Sequence, residues 1–215
     1  MRSTGLTLLL ALSLPACAVE GSEPGAVSAG GQLRSLQPLL KEAEGYAKKW
    51  SKKARLYTVM GTGPKNEARL KPEVWTLVFG DPSKKAESFL VAFKDGKLAW
   101  QRPAPDKAET APLDYKLCRP LDPKFLDTAG LEKRVTEKGL EPNQWGQLDF
   151  VLFKPASPDC GGLFDVGMVY RVLEGIPLKQ FGKAVWVAVN DSEKLYFDGI
   201  TGRFLGRFPP EEQKE

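Results

Sequence analysis

The chain of 215 residues contains no histidine. That absence removes the Ser-His-Asp and Cys-His arrangements of nucleophilic catalysis. Ser-x-x-Lys, the usual histidine-free alternative, does not occur either. Cysteine is scarce, with only Cys17, Cys118 and Cys160, so Cys and His cannot assemble a tetrahedral zinc shell. Beyond the first eighteen residues, no segment approaches the ~18 apolar residues that a membrane-spanning helix needs. Gly61-Thr62-Gly63-Pro64-Lys65 looks superficially like a phosphate loop. It lacks the Gly-Lys-Ser/Thr ending and the helix that should follow, and reads as a turn. Neither sign of charge dominates: 31 Lys and Arg stand against 27 Asp and Glu, a net +4. That is far from the density of a nucleic-acid binder. No nucleic acid, metal or cofactor is expected. Asp149, Asp165, Glu174 and Asp198 could supply paired carboxylates, but nothing ties any two together, and each reads as a solvated side chain.

What is present begins at the N-terminus. Arg2 is a short positive region, and Leu6 to Leu14 is an apolar run too short to span a bilayer and typical of an export signal. It leads into Leu14-Pro15-Ala16-Cys17, which resembles a bacterial lipobox, with Cys17 as the residue to be diacylated. Ala16-Cys17-Ala18 also fits ordinary signal cleavage, which would give a plainly secreted protein. The lipobox is the preferred reading. Ala18 is not the Asp that commonly retains lipoproteins at the inner membrane, so a Gram-negative cell would carry the protein on its outer membrane. Residues 18–31, with Gly21, Ser22, Gly25, Ser28, Gly30 and Gly31, have no periodicity and read as a flexible tether.

Export organises the other two cysteines. A disulfide between Cys118 and Cys160 is the expectation in an oxidising compartment, and two separate thiols are the alternative. The bond would close about 42 residues, worth about 4 kcal/mol in the chain-entropy model.

Processing leaves about 198 residues, enough for one large or two small domains. Leu36, Leu40, Ala43, Ala47 and Trp50 recur at helical spacing, with Ser35 placed to cap and Pro38 tolerated in the first turn. Strands are expected at 55–60, 74–79, 88–93 and 97–100. The last two are joined by Asp95-Gly96, a strong hairpin signal. Pro- and charge-rich residues from Arg102 to Thr110 read as a linker. The pattern then recurs. Asp122-Pro123 reads as the start of a helix carrying Phe125, Leu126, Ala129 and Val135 and stopped by Gly139. Strands are expected at 148–153, 166–173, 183–189 and 194–197, with 201–208 as a last extended piece. The fold class is therefore α+β: two tandem helix-on-antiparallel-sheet units, with a single larger domain as the alternative. The divisions are signal and lipobox 1–17, tether 18–31, first unit 32–102, linker 103–111, second unit 112–208 and charged tail 209–215. Trp75, Leu77, Phe79, Phe89, Val91, Phe93, Val185, Val187 and Val189 should supply much of the core or the sheet faces, and Trp75, Trp100, Trp145 and Trp186 should pack in or beside apolar runs.

One stretch carries a family resemblance. Lys194-Leu195-Tyr196-Phe197-Asp198-Gly199-Ile200-Thr201-Gly202-Arg203-Phe204-Leu205-Gly206 follows the Trp-bearing strand 184–189. It resembles the C-terminal strands of PepSY and PepSY-like domains. The resemblance covers about 25 residues well and implies a cystatin-like helix on a small antiparallel sheet. It also implies an exported, non-catalytic module, inhibitory or chaperone-like toward a protein partner. Independently of the family, Asp198 can hold the turn through its side chain and Gly202 can take a positive φ.

Two surfaces are candidates for contact. The Pro158–Asp165 segment, with Gly161, Gly162, Leu163 and Phe164, reads as a disulfide-pinned loop that would make a binding surface together with the sheet edges. Lys48, Lys49, Lys52, Lys53 and Arg55 close the first helix. Their plain role is to complement the helix C-terminus, and their functional one is weak contact with anionic lipid or polysaccharide. The expected protein is a membrane-anchored lipoprotein that contacts an unknown envelope protein without catalysis. The alternative is a secreted or anchored enzyme with an unrecognised carboxylate-based site.

Overall fold

In a computed structural model of the chain, the described residues are 33–63, 73–84, 87–105, 119–141, 148–156 and 175–209. The periodic run after Ser35 forms helix α1 (Leu36–Trp50), which buries Leu36, Leu39, Leu40, Ala43 and Ala47 along one stripe. Four strands follow: β1 (Arg55–Thr62), β2 (Val74–Gly80), β3 (Glu87–Lys94) and β4 (Lys97–Pro105). Asp95 and Gly96 turn β3 into β4 with φ of 51° and 77°, as a primed two-residue hairpin requires. Helix α2 (Thr128–Glu137) precedes β5 (Asp149–Phe153), β6 (Val185–Val189), β7 (Lys194–Asp198) and β8 (Phe204–Phe208).

The expectation of two tandem units is overturned. All eight strands belong to one antiparallel sheet, in the order β4-β3-β2-β1-β5-β6-β7-β8, and the described residues carry only two α-helices. The join is an antiparallel ladder of β1 with β5, from Thr58 opposite Phe153 to Thr62 opposite Asp149. The physical reason lies in what each half would otherwise leave open. As separate units, β1 and β5 would be apolar edge strands with unpaired backbone, a template for aggregation. Helix α2 has 10 residues and buries only Thr128, Leu131 and Val135, too small an apolar face to cover four strands alone. Instead one continuous core lies under both helices. It runs from Trp75, Leu77, Phe79, Val91 and Phe93 through Phe150 and Leu152 to Trp186, Leu195 and Phe197.

The opposite sheet face is apolar and buried too, through Tyr57, Val78, Leu90, Val151, Phe153, Val185, Val187 and Tyr196, with Ile176 against them. Val185 and Val187 therefore point away from the helices, whereas Trp186 and Ala188 face them. Trp75 and Trp186 are fully buried, but Trp100 is 41% exposed on the edge strand, with the Arg102 guanidinium over its ring.

Three local expectations change. Gly61 and Thr62 continue β1 rather than break it, because the Trp75 ring crosses Gly61 where any Cβ would lie within 2.6 Å of it. Strand β4 runs on to Pro105, through the first part of the expected linker. The second helix begins at Thr128, not at Pro123. Residues 122–126 stay non-helical because Phe125 packs edge-on against Trp186 at 6.2 Å, while the Leu126 carbonyl accepts the indole N–H at 2.9 Å. The expected strand 166–173, and Trp145, lie outside the described residues.

Ser35 does not cap α1 with its own side chain. Asp127 caps both helices: one carboxylate oxygen accepts the amides of Thr128 (2.8 Å) and Leu36 (2.7 Å), and the other accepts the Ser35 hydroxyl. Losing a cap costs about 0.5–2 kcal/mol per helix. Asp127→Ala should therefore lower unfolding free energy by about 2–3 kcal/mol in urea titrations, and Asp127→Asn, which keeps an acceptor, should lose much less.

Candidate functional site

Two polar clusters stand out, at opposite ends of α1. The first clamps the chain where it enters the fold. The Leu33 amide donates to Glu132 at 2.8 Å and the Arg34 amide to Glu73 at 3.3 Å, while the Leu36 amide goes to Asp127. Thr128 adds a hydroxyl to the Arg34 carbonyl. Glu73 is buried and also takes the Trp75 indole N–H at 2.7 Å. Three carboxylates, Glu73 before β2 and Asp127 and Glu132 at the start of α2, thus hold four consecutive residues. Burial pushes the Glu132 carboxyl above its ordinary value; the Leu33 amide opposes this and the neighbouring Glu73 charge adds to it. These carboxylates act as acceptors for backbone amides, which is the chemistry of a cap.

The second cluster is a basic groove at the C-terminal end of α1. Lys48, Lys52, Lys53 and Arg55 line it together with Tyr57, Asp81, Pro82, Ser83 and Pro120, around an open volume of about 840 Å³. A smaller cleft of about 290 Å³ adjoins it between α1 and residues 120–123, sharing Lys48, Arg55 and Pro120. The chain makes this shape because α1 ends at Ser51 in extended backbone and the next residues turn sharply. The Lys48 ammonium ties that turn down through the Lys52 carbonyl (3.2 Å) and the Ala54 carbonyl (2.7 Å). Asp81 holds the facing wall. Its carboxylate accepts the Ser51 hydroxyl, the Ser83 hydroxyl (2.7 Å) and the Ser83 amide (2.8 Å). The serine hydroxyls, with the Lys53 charge behind them, lower its pKa to about 2.

Of the residues picked out by sequence, Lys48, Lys52, Lys53 and Arg55 come together here, and Lys49 lies outside the lining, over the Tyr46 ring. Asp198 holds its turn as expected, accepting the Ile200 amide and the Thr201 amide and hydroxyl, with Gly202 at φ 67°. Burial raises the Asp198 carboxyl, and those hydrogen bonds outweigh it to leave the value lowered. Asp149 is buried and accepts the Thr62 hydroxyl at 2.9 Å. Cys17, Cys118, Cys160, Gly161, Gly162, Leu163, Phe164, Asp165 and Glu174 all lie outside the described residues, as does the proposed disulfide. Among the described residues there is no cluster of His, Cys, Asp and Glu fit to hold a metal, and no helix long and apolar enough to cross a membrane. Sequence reasoning missed Glu73, Asp81, Asp127 and Glu132. Asp81-Pro82-Ser83 carried a turn signal and Asp127-Thr128 a cap signal, but Glu73 and Glu132 carried none.

No family model and no curated protein matches the chain. Among solved structures it is similar to a protein of Clostridium difficile 630 whose description as a lipoprotein is itself provisional. Identity is 10% and the TM-score 0.44, over 78% of this chain and 90% of that one. A likeness at that level fixes no activity, and the functional reading does not rest on it.

Two predictions test these clusters. A carboxyl held above its ordinary value favours the protonated form in the folded state, so ionised Glu132 opposes folding at neutral pH. Glu132→Gln, which keeps an acceptor for the Leu33 amide, should match or exceed the parent in thermal midpoint at pH 7, and Glu132→Ala should fall below it. Asp81 has the opposite sign. Its contribution is complete above its ordinary value of 3.8 and fades as pH falls toward about 2. Thermal midpoints measured across that interval should drop more steeply in the parent than in Asp81→Asn.

Proposed function

We propose that this protein is an exported, lipid-anchored module that works by contact with another component of the cell envelope. The observation that carries the reading is the clamp at Leu33–Leu36, where Glu73 before β2 and Asp127 and Glu132 of the α2 region hold the point at which the N-terminal segment joins the fold. A rigid attachment of this kind suits a domain displayed at the end of a tether that begins at Cys17. The Leu14–Cys17 lipobox and the apolar run before it supply the anchor in this reading.

Contact rather than turnover is supported by what the described carboxylates do. Asp81, Asp127, Glu132 and Asp198 each accept backbone amides or hydroxyls and hold turns or helix ends. The exposed edge strand β4 is poorly suited to recruiting a partner strand, since Pro103 and Pro105 have no amide to offer and Lys97 and Arg102 add charge. The basic groove offers a concave, charged contact surface among the described residues.

Metabolic labelling with a fatty-acid probe tests the anchor. The parent should take up label and Cys17→Ser should not; label persisting in the variant would refute the anchor. Turnover of any substrate by the purified protein, abolished by a single carboxylate substitution, would refute the contact reading.

A further inference from the structure

We propose that the basic groove binds the phosphate groups of a linear, lipid-free polyanion. This deepens the contact reading by naming its partner's chemistry, and it rests on that reading only for the claim that the protein works by contact. Among the described residues, four cations line the groove against one carboxylate, Asp81, which is engaged by Ser51 and Ser83, and the adjoining cleft adds Glu44 and Asp122. Lys48 is tied to two carbonyls and positions the turn. Lys52, Lys53 and Arg55 are exposed; none makes a salt bridge with another described residue, and Lys53 acts on Asp81 only through its charge. Like charges held this close repel one another, so their gathering is unfavourable unless an anion offsets it.

The helix C-terminus accounts for part of the cluster, since cations are favoured there. It does not account for Arg55, which lies on β1 opposite Gly80, nor for a wall built across from it by Pro82 and Ser83. The volume of about 840 Å³ lies within the ~300–1,000 Å³ range of ligand sites and exceeds what a single phosphate would need. Lysines recognise phosphate as point charges without demanding one orientation, which suits a repeating chain more than a single small molecule.

A membrane surface offers the same phosphate chemistry but fits the geometry less well. The site is concave, and among the described residues none of the exposed large apolar side chains, Trp100, Leu178 and Ile200, lines it to insert among acyl chains. It also lies a full helix length, about 20 Å, from the Leu33 end of α1 where the tether arrives.

The test uses the purified full chain and fluorescently labelled inorganic polyphosphate of at least ~50 units. Matched arms use vesicles of phosphatidylglycerol and of phosphatidylcholine. Binding should weaken as salt rises, as counterion release requires. Lys52→Glu combined with Lys53→Glu should reduce polyphosphate affinity at least tenfold. Lys133→Glu combined with Lys179→Glu makes the same charge change on exposed positions elsewhere and should leave affinity within about twofold. Unchanged circular dichroism and thermal midpoints would confirm that both variants fold. Equal losses in the two variants would reduce the effect to net charge and overturn the proposal, as would no binding of polyphosphate at low salt. Tighter binding to phosphatidylglycerol vesicles than to polyphosphate would overturn it in favour of the membrane. None of these failures touches the Cys17 label, which tests the anchor separately.

Discussion

The ladder between β1 and β5 is the constraint on which the rest of this molecule depends. Each of those strands has apolar residues on both faces, Val59 and Tyr57 on one and Leu152 and Val151 on the other. Neither could stand at an edge without leaving backbone groups and apolar surface open. Pairing them converts two runs of four strands into one sheet and places a single core under both helices. Asp127 completes the arrangement from above, joining the N-terminal ends of α1 and α2 through one carboxylate. The polar clusters then lie on one body, and the distance between entry clamp and groove is set by the length of α1.

Local structure was largely legible in the sequence, and the global joining was not. The amphipathic spacing of Leu36, Leu40, Ala43 and Ala47, the Asp95-Gly96 hairpin and the Asp198–Gly202 turn are short-range features, determined by residues within a few positions of each other. Which strand pairs with β1 across about ninety residues is decided by burial of the whole, and no local pattern reports it. The misplaced start of α2 follows the same logic. Asp122-Pro123 is a sound local signal, overridden because Phe125 and Leu126 dock on Trp186, a residue some sixty positions away. Gly61 looked like a breaker because the Trp75 ring that needs its missing side chain is remote in sequence.

For the site, the lysine cluster was visible as composition, but its shape was not. Concavity comes from Asp81, Pro82, Ser83 and Pro120, which belong to other elements and gain meaning only when the sheet brings them beside the end of α1. The clamp was hidden more deeply. Glu73 and Glu132 look like ordinary surface acids, and they become acceptors for the entry segment only because the start of β2 and helix α2 are brought beside the N-terminal end of α1. Glu73, Asp81 and Ser83 belong to the first four-stranded run, whereas Pro120, Asp127 and Glu132 come from the part of the chain that the β1–β5 join attaches to it.

Native-state hydrogen exchange tests that dependence most directly. If the sheet is one cooperative body, the amides of Val59–Gly61, Leu77–Phe79 and Val151–Phe153 should exchange only through global unfolding, and those of Val185–Val187 should share the same free energy of opening. A markedly lower opening energy confined to β5–β8, with β1–β4 remaining protected, would contradict the account by showing two bodies where one is described.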